Sequence, residues 1–173
     1  YTETHASETV WVLLNGSAEL EFPGQRVTVS RKSLFDEPPS ALHLGPRTPV
    51  SVRHLSLDTE WAVVRTSNDR QFAPRLYTPA NLQPEYRGAG LVQNAALRNV
   101  RLIFDRTTRP ESNLVLGEVV NFPGRWSSYP PHHHVQPEIY HYRFPAPDGR
   151  ERARLVASWS TTDSDVDRFL NAF

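Results

Sequence analysis

The sequence contains no cysteine and no methionine among its 173 residues. Without cysteine there is no disulfide and no thiolate ligand, so any metal site must be built from histidine and carboxylate side chains. Methionine is absent even at position 1, although a natural chain of this length usually carries a few residues of one type or the other. We therefore expect this chain to be part of a longer protein whose mass exceeds 19.7 kDa.

Net charge and long apolar runs are lacking as well. The 19 basic residues balance the 19 acidic ones, which removes the electrostatic argument for nucleic acid or an anionic membrane as a partner. No apolar run approaches the roughly 18 residues that span a bilayer. The polar start, residues 1–10, has no signal-peptide pattern. We expect a cytoplasmic protein that binds neither nucleic acid nor a membrane.

Proline and glycine, in contrast, are spread along the whole chain. The 15 prolines and 8 glycines leave little room for long helices. Short apolar stretches lie between these residues, and Asn15-Gly16 between two alternating stretches predicts a hairpin turn. Short strands with turns about every 8–12 residues are typical of a sandwich or barrel, so we predict an all-β protein. The predicted strands are 10–14, 18–22, 26–29, 40–44, 50–55, 61–65, 100–104, 113–121, 138–144 and 152–157.

A polar stretch separates two groups of predicted strands. Residues 68–90 contain three prolines and two glycines, and this stretch is long for a loop within one domain. We therefore predict a first β unit over residues 1–70, a linker over 71–98 and a second β unit over 99–173. The tail, residues 163–173, repeats apolar residues at helical spacing, which predicts a short C-terminal helix.

The segment with the clearest chemistry is a histidine cluster followed by a carboxylate. It reads WSSYPPHHH from Trp126, and EIYHY follows from Glu138. Side chains alternate faces along a strand, so His132 and His134 point the same way, and Glu138 can add an oxygen ligand from the neighbouring strand. Two imidazoles and a carboxylate suit zinc, manganese, iron(II) or nickel. We predict a divalent-metal site at His132, His134 and Glu138.

The competing interpretation of three adjacent histidines is a solvated loop, and a His-x-His pair alone is weak evidence. Glu138, placed just before an alternating strand, strengthens the metal interpretation. By the same alternation, His133 points away from the metal and His141 lies on the face opposite to Glu138. The histidines of the first unit have no partner at ligand spacing and are predicted to be structural: His5, His43 and His54.

The same segment resembles the 5-deoxyglucuronate isomerases of myo-inositol catabolism, which are two-cupin proteins. The resemblance is carried by WSSYPPH-x-H at 126–134 and by EIY-x-YRF at 138–144. It extends upstream through residues 35–44, the YRG at 86–88 and the strand at 114–120. It implies two cupin-like β-barrel units, each a double-stranded β-helix, in a protein that forms a homo-oligomer.

The sequence departs from that family's pattern in three places. The family has additional N-terminal sequence that is absent here. Only residues 135–137 separate the second histidine from the glutamate, where the family has a longer acidic stretch. The family also has a fourth ligand, a histidine on a later strand, whereas no histidine follows His141. Either that strand lies outside this sequence or the ligand has been lost.

The resemblance implies an aldose–ketose isomerase, an intramolecular oxidoreductase that acts on a small sugar acid. Its reaction would convert 5-deoxy-D-glucuronate to 5-dehydro-2-deoxy-D-gluconate by moving a proton between adjacent carbons. A divalent ion, with zinc or manganese favoured, would polarise the carbonyl group, and a base would shuttle the proton. Tyr140 shares the face of Glu138 and is the candidate catalytic hydroxyl. A packed aromatic on a β-strand is the competing interpretation of Tyr140.

Two other functions fit the same residues. A different metal cupin enzyme, such as a dioxygenase or a uronate isomerase, would use the same kind of ligand set, and oxygen consumption would identify a dioxygenase. A non-catalytic sugar-binding cupin would explain the missing fourth histidine. An isomerase assay on a 5-deoxyhexuronate separates that binding function from the enzymatic one.

Overall fold

The computed structural model describes residues 1–127 and 136–145 in full and the backbone of residues 151–157. The predicted C-terminal helix over 163–173 lies outside this part of the chain. The described residues form strands and two short 3₁₀ turns, Pro79–Asn81 and Val92–Asn94, which confirms the predicted all-β class. The strands are β1 (Thr2–Thr4), β2 (Glu8–Phe22), β3 (Gln25–Arg31), β4 (Ala41–Leu44), β5 (Pro49–His54), β6 (Glu60–Thr66), β7 (Arg75–Tyr77), β8 (Glu85–Arg87), β9 (Arg98–Phe104), β10 (Leu116–Asn121), β11 (Ile139–Pro145) and β12 (Glu151–Ala157).

The chain forms two compact units, Tyr1–Tyr129 and Pro130–Phe173. In the first unit, the longest strand, β2, organises a seven-stranded sheet. The first half of β2 pairs antiparallel with β4 and β6, and its second half pairs antiparallel with β3 and β5. β1 extends the sheet beside β5, and β7 extends it beside β4. β2 therefore changes its pairing partners at its middle, and its two halves connect the two ends of the sheet.

The predicted hairpin turn at Asn15-Gly16 is wrong. β2 runs through this dipeptide, and its register with β6 shifts just before Asn15, as at a β-bulge. Gly16 has a φ of +87°, and a Cβ there would lie 2.6 Å from the Cα of Thr59. Glycine is required because a side chain would be both strained and obstructed. The turn that joins β2 to β3 lies at Pro23-Gly24 instead.

The bulge also determines which side chains of β2 share a core. Trp11 and Leu13 stand at odd positions before it, whereas Leu20 and Phe22 stand at even positions after it, and all four belong to one hydrophobic cluster. The extra residue shifts the period-two alternation by one, so both halves of β2 direct apolar side chains to the same face. The other buried members of this cluster are Ala18, Val29, Leu42, Leu44, Val50 and Val52.

A second hydrophobic cluster contains the side chains at the even positions of β2 before the bulge. Val10 and Val12 pack there with Ile103 and Phe104 of β9. β9 is the middle strand of a three-stranded antiparallel sheet between β8 and β10. Residues on both sides of the stretch 71–98 therefore share one core, and that stretch itself contains β7 and β8.

The predicted cupin-like units at 1–70 and 99–173, with a linker between them, stay a prediction. In the second unit, β11 and β12 form an antiparallel hairpin with Ile139 opposite Ala157 and Pro145 opposite Glu151. The strands predicted at 138–144 and 152–157 are thereby confirmed to within one residue at each end. No helix in the described part of the chain is long and apolar enough to cross a bilayer.

Candidate metal centre

The structure gives the surroundings of one of the three predicted metal ligands. Glu138 directly precedes β11 and its side chain is half-buried. His132 and His134 lie outside the described residues, so the convergence of the three side chains stays a prediction. Tyr140, the predicted catalytic hydroxyl, lies on β11, and its side chain is 44% exposed.

The sequence around Glu138 explains why a strand begins there. Ile139, Tyr140, Tyr142 and Phe144 take four of the six positions 139–144, and β-branched and aromatic residues favour the pleated, half-buried surface of a strand. Pro137 precedes Glu138 and Pro145 is the last residue of β11. Proline lacks the N–H that a strand ladder needs, so it is tolerated at strand ends. Glu138 is thus held where the strand starts, on the same face as Tyr140 by alternation.

Glu138 and Tyr140 stand two residues apart, which places them on the same face of an extended chain. Burial raises the pKa of Tyr140 above its ordinary value of 10.0, and the hydrogen bond to Glu138 with its negative charge raises this pKa further. A phenol whose pKa is raised stays protonated at neutral pH. Tyr140 can therefore act as a hydrogen-bond donor beside Glu138.

The rings that follow Tyr140 on the same face of β11 fix its position. The ring centroids of Tyr140 and Tyr142 are 5.8 Å apart with an interplanar angle of 28°. Tyr142 and Phe144 are 6.1 Å apart with an angle of 12°. The spacing i, i+2, i+4 is the period of a strand, and these separations suit offset stacking of aromatic rings. The three rings form an aromatic ladder along β11, with Tyr140 at the end nearest to Glu138.

The donor set is chemically suited to a divalent metal ion. A carboxylate has two oxygens with about four acceptor positions, so one oxygen of Glu138 can accept from Tyr140 while the other binds a cation. With the imidazoles of His132 and His134, this gives the mixed nitrogen and oxygen set that zinc and manganese accept. Across residues 1–127 and 136–145, no cluster of three or more histidine, cysteine or acidic side chains could hold a metal ion.

The first unit contains a buried polar cluster that sequence spacing did not reveal. The fully buried carboxylate of Glu8 accepts hydrogen bonds from His43 Nε2 at 2.8 Å, Asn68 Nδ2 at 2.7 Å and the backbone N–H of Asn113 at 2.9 Å. The Ser112 hydroxyl also donates to it. Burial acting alone would raise the pKa of Glu8, but these four hydrogen bonds outweigh it and lower the pKa from 4.5 to about 2.

Arg109 fixes the tautomer of His43. Its Nε–H donates to Nδ1 of His43 at 3.2 Å, and a guanidinium group cannot accept a hydrogen bond. Nδ1 therefore carries a lone pair, and the ring proton lies on Nε2, facing Glu8. The imidazole also stacks on Phe104 with centroids 4.5 Å apart and an angle of 8°. His43 is a buried residue with partners on both ring nitrogens, in agreement with its predicted structural role.

A second buried cluster joins Arg31 and Arg101 to Glu118. The guanidinium group of Arg31 makes a bidentate ion pair with Glu118 at 2.7 and 2.8 Å. Both arginines are buried, and both donate to the backbone carbonyls of Leu34 and Glu37. The cluster thereby ties the segment after β3 to β9 and β10. Like the Glu8 cluster, it joins parts of the first unit that are distant in sequence.

Comparison with known proteins gives a consistent family match. The model of the KduI/IolB family matches residues 1–167. A 5-deoxy-glucuronate isomerase of Geobacillus kaustophilus (strain HTA426) is 32% identical over 142 residues, which cover 80% of this chain and 49% of that protein. A 5-deoxy-glucuronate isomerase of Geobacillus thermodenitrificans (strain NG80-2) is 31% identical over 142 residues, 80% of this chain and 50% of that protein.

A solved structure shares the fold. The crystal structure of an IolB-like protein from Salmonella typhimurium LT2 superimposes with a TM-score of 0.69 at 22% sequence identity. The match covers 90% of this chain and 66% of that protein. The chain spans about half the length of the curated relatives it matches.

Proposed function

The chain belongs to the KduI/IolB family, and from this membership we propose that it is part of a metal-dependent isomerase. The proposed reaction converts 5-deoxy-D-glucuronate to 5-dehydro-2-deoxy-D-gluconate in inositol catabolism. The observation that carries the proposal is the identity of 32% with a protein named 5-deoxy-glucuronate isomerase across 80% of this chain. The position of Glu138 directly before β11 supports it, because the start of a paired strand carries the predicted carboxylate ligand.

The reaction needs no external oxidant or reductant. A C–H bond breaks at the hydroxyl-bearing carbon next to the aldehyde, and a new C–H bond forms at the aldehyde carbon. The hydroxyl proton moves from the first oxygen to the second, so an aldose becomes a ketose with the same atoms. The central difficulty is the removal of a weakly acidic proton beside a carbonyl group, which requires a positioned base and stabilisation of negative charge on oxygen.

The residues of this chain have separate parts in the proposed mechanism. His132, His134 and Glu138 would hold a divalent ion, with zinc or manganese as the first candidates. When bound, such an ion supplies Lewis-acid stabilisation of the oxygen on which negative charge develops. Tyr140, on the same face as Glu138 by strand alternation, would supply a hydroxyl beside the bound substrate. The base that moves the proton between the carbons is not among the residues assigned so far.

Isomerase activity of the full chain tests the proposal. We expect conversion of 5-deoxy-D-glucuronate to the keto acid, loss of that activity after treatment with a chelator, and recovery with zinc or manganese. His132→Ala and Glu138→Gln should each lower kcat/KM by at least about 100-fold, because each removes a metal ligand. His133→Ala is the matched control: in a regular strand this histidine would point away from the ion, so activity of the variant should stay near that of the unchanged protein.

Two results would contradict the proposal. Activity that survives complete metal removal would exclude the metal mechanism. Oxygen consumption with the same substrate would replace the isomerase by a dioxygenase. The predicted homo-oligomer and the predicted cytoplasmic location belong to this proposal as expectations, and sedimentation of the purified protein and fractionation of cells test them.

A further inference from the structure

The sequence contains one Asn-Gly dipeptide, Asn15-Gly16, and β2 runs through it. In such a pair the backbone nitrogen of the glycine can attack the Cγ atom of the asparagine side chain. Ammonia leaves, a cyclic succinimide forms, and water then opens the ring to aspartate or isoaspartate. Glycine favours this reaction because it has no Cβ to obstruct the attack and its backbone adopts many conformations. The sequence therefore marks Asn15 as a site of spontaneous deamidation.

In the folded protein, the Asn15 side chain is held by Asp58. The Asn15 Nδ2 group donates hydrogen bonds to the Asp58 carboxylate oxygen Oδ2 at 2.9 Å and to the Asp58 backbone carbonyl at 3.1 Å. A side-chain amide nitrogen carries two donor hydrogens, so these two bonds use its full donor capacity. The same nitrogen must leave as ammonia, and the side chain must turn to bring Cγ against the Gly16 nitrogen. Both bonds therefore have to break before the succinimide forms.

The residues on either side of Asp58 fasten its loop to the bulge of β2. The Ser56 hydroxyl accepts a hydrogen bond from the backbone N–H of Ser17 at 2.9 Å, and the Thr59 hydroxyl donates to the Ser17 carbonyl at 2.9 Å. The Thr59 backbone lies so close to Gly16 that a Cβ on this glycine would be 2.6 Å from the Thr59 Cα. These contacts do not involve the Asp58 side chain, so they remain when that side chain is removed.

We propose that Asn15 is a latent deamidation site, which the Asp58 carboxylate keeps unreactive in the folded protein. The reaction then requires a local opening that separates the loop at residues 56–59 from the bulge, and its rate follows the population of that open state. This role of Asp58 is independent of the proposed isomerase reaction, because it concerns the integrity of β2 and not the metal centre.

Deamidation would damage the strand that organises the first unit. An aspartate at position 15 has no N–H to donate and places a second negative charge beside Asp58. An isoaspartate adds a further carbon atom to the backbone, at the point where the register of β2 with β6 already shifts. Asn15→Asp, which reproduces one product, should have a lower Tm than Asn15→Ala, which loses the same hydrogen bonds without adding a charge. Equal Tm values would overturn this predicted damage.

Mass spectrometry of peptides from the full chain, after incubation at neutral pH, measures the deamidation rate of Asn15. The chain has no methionine and no cysteine, so oxidation of these residues cannot obscure the small mass gain from amide to acid. Asp58→Ala should raise the rate by about 10-fold or more, the change expected from losing one hydrogen bond to a charged acceptor. Asp36→Ala is the matched control: it removes another exposed aspartate, which accepts from Ser33, and should leave the rate unchanged.

Urea separates local protection from global stability. In the unfolded chain Asp58 is 43 positions from Asn15, so the unchanged protein and Asp58→Ala should deamidate at one rate, faster than either does when folded. Below the unfolding transition the rate in Asp58→Ala should depend little on urea, because a local opening exposes little surface. A rate that instead follows the global unfolding curve would overturn the specific role of Asp58. Equal rates in the two folded proteins, or a slower rate in Asp58→Ala, would overturn it as well.

Discussion

Replacing Glu8 with glutamine should lower the free energy of unfolding by about 3 kcal/mol, because a buried donor loses its acceptor and the remaining hydrogen bonds lose an ionised acceptor. Glu8→Gln keeps the shape of the side chain and removes its charge. The carboxylate is fully buried and accepts hydrogen bonds on both oxygens. Water therefore cannot replace the interactions that the glutamine loses.

The geometry around Glu8 explains the size of this effect. The amide nitrogen of the glutamine must face either Asn68 and the backbone N–H of Asn113, or His43 and Ser112. The Ser112 hydroxyl can rotate to accept, but the ring of His43 cannot change its tautomer because Arg109 donates to the other ring nitrogen. At least one buried donor then faces a donor, at about 1–3 kcal/mol. The remaining hydrogen bonds lose the strengthening that the ionised acceptor gave them.

The same residue should produce a defined pH dependence. The pKa of Glu8 is about 2 in the folded protein, below its ordinary value of 4.5, so protons bind the unfolded chain more readily. The stabilisation is therefore fully present above pH 4.5 and is lost as the pH falls through the folded-state pKa. The difference between the unfolded and folded pKa values corresponds to about 3 kcal/mol of stabilisation by Glu8. About 2 kcal/mol of this stabilisation is lost by about pH 3. Glu8→Gln should lack this contribution at every pH.

Urea unfolding, followed by circular dichroism and tryptophan fluorescence, measures both effects. Glu21→Gln is the matched control, because it makes the same change on the same strand at a side chain that is 55% exposed and paired only with exposed Arg26. It should alter the free energy of unfolding by less than about 1 kcal/mol. The reasoning is refuted if Glu8→Gln is as stable as Glu21→Gln, or if both variants lose stability equally on acidification.

Two pairs of substitutions, each a test with its matched control, probe the architecture of the first unit. Gly16→Ala should lower the free energy of unfolding by about 2 kcal/mol or more. The new Cβ would lie 2.6 Å from backbone atoms, and the residue has a positive φ. Gly24→Ala, where φ is +79° and no atom lies within 4 Å, should cost about 1 kcal/mol. Arg31→Met should cost about 3 kcal/mol or more, because it leaves Glu118 and buried carbonyls short of donors. Arg26→Met, which breaks an exposed ion pair, should cost less than about 1 kcal/mol. Thermal or urea unfolding that gives equal losses within either pair would contradict these interpretations.

Features that depend on local sequence were predicted successfully. Alternating aromatic and polar residues located β11, and regular breakers located most strands of the first unit because turn residues act within a few positions. The hairpin prediction at Asn15-Gly16 was wrong because the same dipeptide suits both a turn and a bulge. The distant segment at residues 56–59 favours the bulge. The Ser56 hydroxyl accepts a hydrogen bond from the backbone N–H of Ser17, and the backbone of this segment packs against Gly16.

The polar clusters were beyond the reach of spacing arguments. Glu8 is joined to Asn113 across 105 positions of the chain, and Arg31 to Glu118 across 87. Such pairs form only after the sheets pack, and no local periodicity marks them. A partial signal was present, since Glu8 lies two residues before the apolar run at 10–14 and a charged residue is rarely buried unless it is paired. The shared face of Glu138 and Tyr140, in contrast, is expected directly from strand alternation over two positions.

The most direct test of the account is a diffraction experiment on the full chain crystallised with Mn²⁺ or Zn²⁺, using anomalous scattering to locate the ion. We expect one ion with nitrogen ligands from His132 and His134 and an oxygen ligand from Glu138, each at about 2.0–2.2 Å for zinc. An ion bound elsewhere, or a Glu138 carboxylate directed away from both histidines, would contradict the account.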